Sequence, residues 1–188
     1  MNNPYERIND IVFNLQNKKY NSALTLIIPL IDRSAKDTYA IRKVGERFKK
    51  LINDNKDFIF WFGSGCVINV TNEININGKT LPDIFYNMVR NCLVHDAELT
   101  NVEFIEGNTI ISLDGQKIKF SINFIYSLFV FVCYLPCNAN KIPKGITMNN
   151  NRIKIDIDNI CGKGKIIAFE EIIKNKTNSA TQSIQPER

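Results

Sequence analysis

An almost uninterrupted apolar run at residues 120–136 constrains the fold more than any other feature of this chain. Ser121, Asn123 and Ser127 interrupt it, and the run is slightly shorter than the roughly 20 residues that a helix needs to cross a bilayer. A helix that is apolar on all sides has to be covered by the rest of the protein. We therefore expect a long buried helix, capped by Ser121, and not a membrane span.

Three segments before this run show the apolar spacing of amphipathic helices. We expect one helix to follow Asn3 and Pro4, a second to cover residues 21–37 with a kink at Pro29, and a third to end at residues 53–55. Residues 58–62 are mostly aromatic and are expected in the core. The apolar positions of the three helices are Ile8, Ile11, Val12 and Leu15, then Leu24, Ile27, Ile28 and Ile31, then Ile41, Val44, Phe48, Leu51 and Ile52.

A fourth helix is predicted to begin at Thr80, a favourable capping residue followed by Pro82 and Asp83. An apolar stripe then repeats at the helical period, which indicates that this helix packs against the others along its length. The stripe consists of Leu81, Ile84, Phe85, Met88 and Cys92.

The period changes after the fourth helix. Residues 102–105, 109–113 and 117–120 are short strand-like runs separated by turn residues, which predicts a small β-meander. Residues 152–158 alternate isoleucine with polar residues, as a half-buried strand does. The fold class is therefore expected to be mainly α, a helical bundle with a small β-meander or hairpin added after the fourth helix.

The length of 188 residues suits one domain with a sizeable core. We expect this domain to cover residues 1–174, with its core at about residues 5–135 and a C-terminal strand and helix extension at about residues 138–174. Residues 175–188 are polar and are expected to form a flexible tail.

The net charge of +5 weakly favours a phosphate-bearing partner. The five cysteines lack the paired spacing of a zinc site and are expected to be reduced thiols. Because the N-terminus lacks the apolar core of a secretion signal, a cytoplasmic location is expected, with no membrane partner. Residues 162–165, Gly-Lys-Gly-Lys, lack the spacing of a phosphate-binding loop and predict a basic turn.

The chemistry of the chain is expected to centre on His95, its single histidine. Histidine both takes and gives protons near neutral pH. Asn91 lies one helical turn earlier, where its amide could orient the imidazole. Arg90 carries a planar guanidinium that can hold a phosphate by two hydrogen bonds. An isolated arginine there would ordinarily form an ion pair, here with Asp83, Asp96 or Glu98.

The spacing of Arg90 and His95 raises a geometric objection, because five residues turn a straight helix by about 140° in net direction. Three solutions remain open: the guanidinium reaches around, the helix ends near His95, or two copies of the helix meet at a shared cleft. We favour the last, which makes a homodimer part of the site.

The series Arg90, Asn91 and His95, late on a helix of a small helical domain, resembles the signature of the HEPN superfamily. The resemblance covers about residues 5–135, and it implies a HEPN-like bundle that works as a homodimer without a cofactor or metal. By the same resemblance, Arg90 would bind the scissile phosphate, His95 would transfer a proton, and Asn91 would orient His95 or the substrate.

The activity that the resemblance implies is that of a metal-independent endoribonuclease, which cleaves RNA through the 2′-hydroxyl and leaves a 2′,3′-cyclic phosphate. Compact HEPN proteins of this kind often act as toxins or antiviral defence effectors, and an antitoxin or another regulatory partner would then restrain the activity. The alternative is a non-catalytic HEPN module that binds RNA or nucleotides or mediates dimerisation.

Overall fold

The computed structural model describes most of the chain, and its described part is mainly α-helical. It covers residues 4–65, 75–95, 99, 101–106, 111–115, 117–150 and 153–182, apart from the side chains of His95, Asn150 and residues 177–182. One continuous cluster of buried apolar side chains extends from Tyr5 to Ile172, so the N-terminal helices and the C-terminal segment share a core.

Four helices form the N-terminal part. They are α1 (Ile8–Gln16), preceded by a 3-10 turn (Pro4–Arg7), then α2 (Tyr20–Thr38), α3 (Val44–Asp54) and α4 (Lys56–Gly63). The three helices predicted from apolar spacing are thus present, but the third begins at Val44, so Ile41 precedes it. Helix α4 was expected only as an aromatic part of the core, and its residues from Phe58 to Gly63 are buried.

Helix α2 passes through Pro29 as one continuous element. Proline cannot donate the hydrogen bond that the carbonyl group of Thr25 would otherwise accept within the helix. Both Thr25 and Pro29 are exposed, so water can satisfy that carbonyl group.

Helix α7 (Ile122–Tyr134) is the buried helix that the apolar run predicted. Its residues from Phe124 to Tyr134 are buried, and it packs against α4 and α2. The hydroxyl oxygen of Ser121 accepts the N–H of Phe124 at 3.2 Å, which confirms the predicted cap. Within the described ranges, no helix combines the length and the apolar character needed to cross a membrane.

The helix that carries Arg90 and His95 is built from three consecutive pieces, which we call together the motif helix (residues 81–95). They are α5 (Leu81–Asp83), a π-helical segment (Ile84–Arg90) and α6 (Asn91–His95). The hydroxyl oxygen of Thr80 accepts the N–H of Asp83 at 3.3 Å, so the predicted start is confirmed.

The buried face of the motif helix differs from the predicted stripe. Val89 is buried, whereas Met88 and Cys92 are only partly buried. In a π-helix each hydrogen bond spans five residues instead of four, so each turn is wider and the side chains that follow rotate relative to an α-helix. The buried residues of the motif helix are Leu81, Ile84, Phe85 and Val89.

The strands around the motif helix form two small sheets, β1 with β2 and β3 with β4 and β5. Their bounds are β1 (Asn75–Ile76), β2 (Lys79–Thr80), β3 (Val102–Ile105), β4 (Ile111–Asp114) and β5 (Lys117–Ser121). The predicted meander is wrong, because the order is β3-β5-β4 and β3 runs parallel to β5. The antiparallel β4–β5 hairpin is present. Strand β5 takes the centre because it carries the most buried side chains of the three, among them Ile118 and Phe120.

Three stacked phenylalanines join the motif helix to β5 and α7. The ring centroids of Phe85 and Phe120 lie 5.4 Å apart, those of Phe85 and Phe124 5.5 Å, and those of Phe120 and Phe124 5.2 Å. Aromatic stacking of this kind adds to the stability that burial provides. It fixes the first half of the motif helix on the core.

The C-terminal part contains a hairpin and a last helix, β6 (Thr147–Asn150), β7 (Ile153–Asp156) and α8 (Lys165–Gln182). Burial alternates along β7, as the sequence predicted. Helix α8 continues into the segment that was expected to be a flexible tail, and residues 183–188 lie outside the described residues. Extending a helix that has already formed costs little, even without apolar residues.

The turn at residues 162–164 ties the end of α7 to the start of α8. The N–H of Gly162 donates to the carbonyl group of Cys133 at 2.9 Å, and that of Gly164 donates to Tyr134 at 2.8 Å. Gly162 has a φ of +68°, and a Cβ there would lie 2.3 Å from the Cα of Ala139. The two glycine N–H groups therefore cap the central helix.

Candidate functional site

The three residues of the predicted site lie on consecutive pieces of one helix. Arg90 ends the π-helical segment, Asn91 begins α6, and His95 is the last residue of α6. Helix α6 is described as far as His95, and residues 96–98 lie outside the described residues. The position of the imidazole lies outside the described side chains, so the structure brings together Arg90 and Asn91 only.

The guanidinium of Arg90 is held by three side chains. Its Nε and Nη2 atoms donate to the Oδ2 atom of Asp32 at 3.3 and 3.1 Å, and its Nη1 atom donates to the Oδ1 atom of Asn91 at 3.3 Å. The Cζ atom lies 5.5 Å from the ring centroid of Tyr86, within the range of a cation–π contact. The Arg90 side chain is only 16% exposed.

Two N–H groups of Arg90 are left after these contacts. A guanidinium has five N–H donors. Three hydrogen bonds to described residues use the donor of Nε and one donor on each Nη atom, so one N–H remains on Nη1 and one on Nη2. A pair of donors on the two Nη atoms matches two oxygens of a phosphate or carboxylate.

The position of Tyr86 depends on a glycine in α3. A Cβ atom at Gly45 would lie 2.9 Å from the Cζ atom of Tyr86, so any larger residue there would push on the ring. The ring also packs at a tilt against Phe48, with centroids 5.8 Å apart, and lies 5.4 Å from the Nζ atom of Lys49. Gly45 therefore gives Tyr86 the space to lie beside Arg90.

A second ion pair lies close to the first. Lys49 donates to the Oδ1 atom of Asp83 at 2.7 Å, and its hydrogen bond, with another from the Thr80 hydroxyl, lowers the pKa of Asp83. Each cation that contacts Tyr86 thus has a carboxylate partner. Lys36, one turn after Asp32 on α2, is exposed and forms no ion pair with a described residue.

The ion-pair partner of Arg90 was not found by sequence reasoning. Asp83, one of the three candidates, pairs with Lys49, and Asp96 and Glu98 lie outside the described residues. Asp32 is 58 positions away from Arg90 and belongs to another helix. No short-range pattern marks such a contact. Asn91 was expected to orient His95 or the substrate, and its Oδ1 atom accepts a hydrogen bond from Arg90.

An open groove lies along the N-terminal half of α2. It has a volume of about 590 Å³, and its wall includes the amides of Asn14 and Asn21 and the hydroxyl of Ser22. Leu99, four residues beyond His95, also lines it. The helix that holds Arg90 through Asp32 therefore also forms one wall of this groove.

The described ranges contain free cysteines and no cluster of metal ligands. Four cysteines are unpaired thiols, and burial raises the pKa of the Cys133 thiol. Cys66 lies outside the described residues. No group of three or more His, Cys, Asp or Glu side chains lies close enough together there to hold a metal ion.

The comparisons with known proteins bear on the family of the chain. A family model described as Rv1289 matches residues 5–185, nearly the whole sequence. Comparisons with curated proteins and with solved structures find no match. The description of the family names no activity. On the extent of that match, the chain belongs to the Rv1289 family.

Proposed function

We propose that this protein is a metal-independent endoribonuclease of the HEPN type, which leaves a 2′,3′-cyclic phosphate on the RNA that it cuts. The observation that carries the proposal is the state of Arg90. Its guanidinium is held by Asp32, Asn91 and Tyr86, and one N–H on each Nη atom has no partner among the described residues. An arginine fixed in this way can bind the two non-bridging oxygens of a phosphodiester without reorganising.

The reaction requires the two remaining N–H groups of Arg90 and one side chain that transfers a proton. The 2′-oxygen of the RNA attacks the neighbouring phosphorus, and the bond from phosphorus to the 5′-oxygen breaks. His95 takes the proton from the attacking hydroxyl while solvent protonates the leaving oxygen, or His95 protonates the leaving oxygen while solvent takes the proton of the hydroxyl. Arg90 stabilises the charge that develops on the non-bridging oxygens, and Asn91 keeps the guanidinium in place.

A homodimer through the motif helix is part of the proposal. Val94 is 58% exposed although it is apolar, and it lies three residues after Asn91 in α6. An exposed apolar side chain beside the proposed site supports the pairing of two copies there. Such pairing would bring Arg90 of one protomer towards His95 of its partner, which answers the objection from their spacing. A toxin or defence effector held in check by a regulatory partner is the setting that we propose.

A non-catalytic module that binds RNA or nucleotides, or that mediates dimerisation, is the second candidate. One observation favours it: the charge of Arg90 is already paired with Asp32, which weakens the attraction for a phosphate. The same arrangement would suit an arginine that supports an interface.

The test is an RNA cleavage assay with purified protein in excess EDTA. The wild type is expected to cut RNA, to leave a 2′,3′-cyclic phosphate, and to spare DNA of the same sequence, which lacks the 2′-hydroxyl. His95→Ala is expected to lose cutting while its circular dichroism spectrum stays unchanged. Equal cutting by wild type and variant, or none by the wild type, would contradict the proposal.

A further inference from the structure

Asp32 holds the guanidinium of Arg90 from another helix, α2. Its Oδ2 atom accepts both hydrogen bonds from Arg90, and its side chain is 25% exposed. Its Oδ1 atom is buried and accepts no hydrogen bond from a described residue. Among the described residues, Asp32 therefore has Arg90 as its hydrogen-bond partner, and this contact is the one by which α2 reaches the guanidinium.

We propose that Asp32 positions the guanidinium of Arg90 and makes the site select a singly charged phosphodiester over a doubly charged terminal phosphate. The inference rests on the assignment of Arg90 to phosphate binding in the proposed function. It deepens that function, because it distinguishes the interior of an RNA strand from a nucleotide or a strand end.

The charges around Arg90 carry the argument for selectivity. Asp32 cancels the charge of Arg90, and Asp83 cancels that of Lys49, the other cation on the Tyr86 ring. Among the residues that contact the Tyr86 ring, the two remaining N–H groups of Arg90 are then what is left to attract a ligand. A phosphodiester offers two non-bridging oxygens with one negative charge. A terminal phosphate carries up to one charge more, which the carboxylate of Asp32 repels.

The geometry carries the argument for positioning. The two hydrogen bonds to Asp32 come from the Nε side of the guanidinium, and the one to Asn91 comes from Nη1. These contacts, with the Tyr86 ring, determine the plane of the guanidinium and hence the direction of the two N–H groups that remain. Without Asp32, Arg90 would keep one hydrogen bond and the ring contact, and its fork would lose its fixed orientation.

Two variants of Asp32 separate charge from positioning. Asp32→Asn keeps a carbonyl oxygen that can accept from Arg90 and removes the negative charge, whereas Asp32→Ala removes both. Asp37→Asn is the matched control, because Asp37 lies on the same helix and pairs with Arg33 and Lys141 instead.

The experiment compares two ligands that differ by one charge, deoxyadenosine 5′-monophosphate and its 5′-methyl phosphodiester, at pH 8. At that pH the monoester carries two negative charges, since its second pKa lies near 6. Binding is followed through the Arg90 Nε–H signal in ¹⁵N nuclear magnetic resonance. The wild type and Asp37→Asn are expected to bind the diester about tenfold more tightly than the monoester. In Asp32→Asn that preference is expected to fall to about one, through tighter binding of the monoester.

Asp32→Ala is expected to bind the diester about tenfold more weakly than the wild type and to cut RNA correspondingly more slowly, with an unchanged circular dichroism spectrum. The inference is overturned if the wild type prefers the monoester, if Asp32→Asn keeps the tenfold preference, or if Asp32→Ala binds the diester like the wild type. Neither ligand has a 2′-hydroxyl, so the binding measurement does not depend on catalysis. A diester preference without RNA cutting would refute the nuclease and leave this inference standing; cutting that requires His95, with an unchanged preference in Asp32→Asn, would refute this inference alone.

Discussion

Arg90 makes use of several edges of its guanidinium at once. Hydrogen bonds to Asp32 and Asn91 and the contact with Tyr86 surround it, and two N–H groups have no partner among the described residues. A lysine has one nitrogen with three donors and no plane, so it cannot make these contacts and bind two phosphate oxygens together. At this position the two basic residues are not equivalent.

Arg90→Lys is therefore expected to slow RNA cutting by about a hundredfold, which is typical for the loss of a donor that stabilises developing charge. Its fold should persist, because a lysine still places a positive charge near Asp32. Initial cutting rates and circular dichroism check both statements. Arg33→Lys, in the partly exposed ion pair with Asp37, is the control and should cut at the wild-type rate. If Arg90→Lys cut RNA at the wild-type rate, the two N–H groups of the Arg90 guanidinium would not be needed to bind the phosphate.

Gly45→Ala tests the support of Tyr86 in the same way. The new Cβ would lie 2.9 Å from the Cζ atom of Tyr86, so the ring has to shift away from its place beside Arg90. We expect a loss of about 1 to 3 kcal/mol in the free energy of unfolding, measured in urea, and slower RNA cutting.

A double variant serves as the control for Gly45→Ala. Tyr86→Leu removes the ring that the new Cβ would contact, so the destabilisation in Gly45→Ala/Tyr86→Leu should be less than the sum of the two single effects. Strictly additive free energies would mean that the two residues do not act on each other.

At this scale, local sequence patterns could suggest only part of the candidate site. Arg90, Asn91 and His95 lie within six positions of each other, so their spacing alone suggested a common purpose. Asp32 reaches the site from α2 through its hydrogen bonds to Arg90, and Gly45 through the packing of α3 against the motif helix. The apolar spacing of a helix indicates which face is buried and leaves open which neighbour covers it. The contact between Asp32 and Arg90 could not be predicted from local patterns.

Where the backbone is regular, the helices and strands lie at the positions that the spacing of their apolar residues predicted. Helices α1, α2, α3 and α7 and strand β7 lie where the periods of their apolar residues predicted them. The buried stripe of the motif helix was predicted for an α-helix and changed at the π-helical segment, where Val89 is buried instead of Met88. The order of β3, β4 and β5 in their sheet depends on which strand is most buried. Three short strand-like segments in a sequence do not show which of them that is.

Asn138 connects three elements through one buried side chain. Its Oδ1 atom accepts from the hydroxyl of Tyr5 at 2.6 Å, and its Nδ2 atom donates to the Oγ atom of Ser34 at 2.9 Å and to the carbonyl group of Val132 at 2.8 Å. Buried polar groups that lose their partner cost more than the hydrogen bond itself contributed.

Asn138→Ala is expected to lower the free energy of unfolding in urea by about 3 kcal/mol, roughly 1 kcal/mol for each of these hydrogen bonds. Asn17→Ala is the control, because its side chain is exposed and, in the part of the chain that the structure describes, donates only to the carbonyl group of Phe13. A change for Asn17→Ala within about 0.5 kcal/mol, against the large loss for Asn138→Ala, is the expected pair of results.

Replacing Pro29, within α2, is expected to stabilise the protein. It lies inside α2, where a proline removes one hydrogen bond, and it is exposed, so an alanine would meet no steric obstacle. Pro29→Ala is expected to raise the free energy of unfolding by about 2 kcal/mol, since the gain in helix propensity exceeds the greater entropy of the unfolded chain. Pro82→Ala, in the first turn of the motif helix, should bring no gain. A less stable Pro29→Ala would show that Pro29 is favoured in α2.

The proposed pairing of two copies is a property of the whole molecule. Val94→Asp would place a charge at the centre of an interface made by the motif helices, so it is expected to yield a monomer that no longer cuts RNA. Light scattering after size-exclusion chromatography measures the change in mass. Ile166→Asp alters another exposed apolar residue, 72% exposed and on α8, and should stay dimeric and active. A Val94→Asp protein that remains a dimer would place the interface elsewhere.

The contacts of the C-terminal segment bear on where this protein can be shortened. Phe169 of α8 packs on Trp61 and Phe58, with ring centroids 4.6 and 5.1 Å apart, and the N–H groups of Gly162 and Gly164 cap α7. A fragment that stops at residue 137 would expose the aromatic rings of Trp61 and Phe58. It would also leave carbonyl groups at the end of α7 without hydrogen-bond donors. Such a fragment would aggregate, and an expression clone has to retain the polypeptide at least through Phe169.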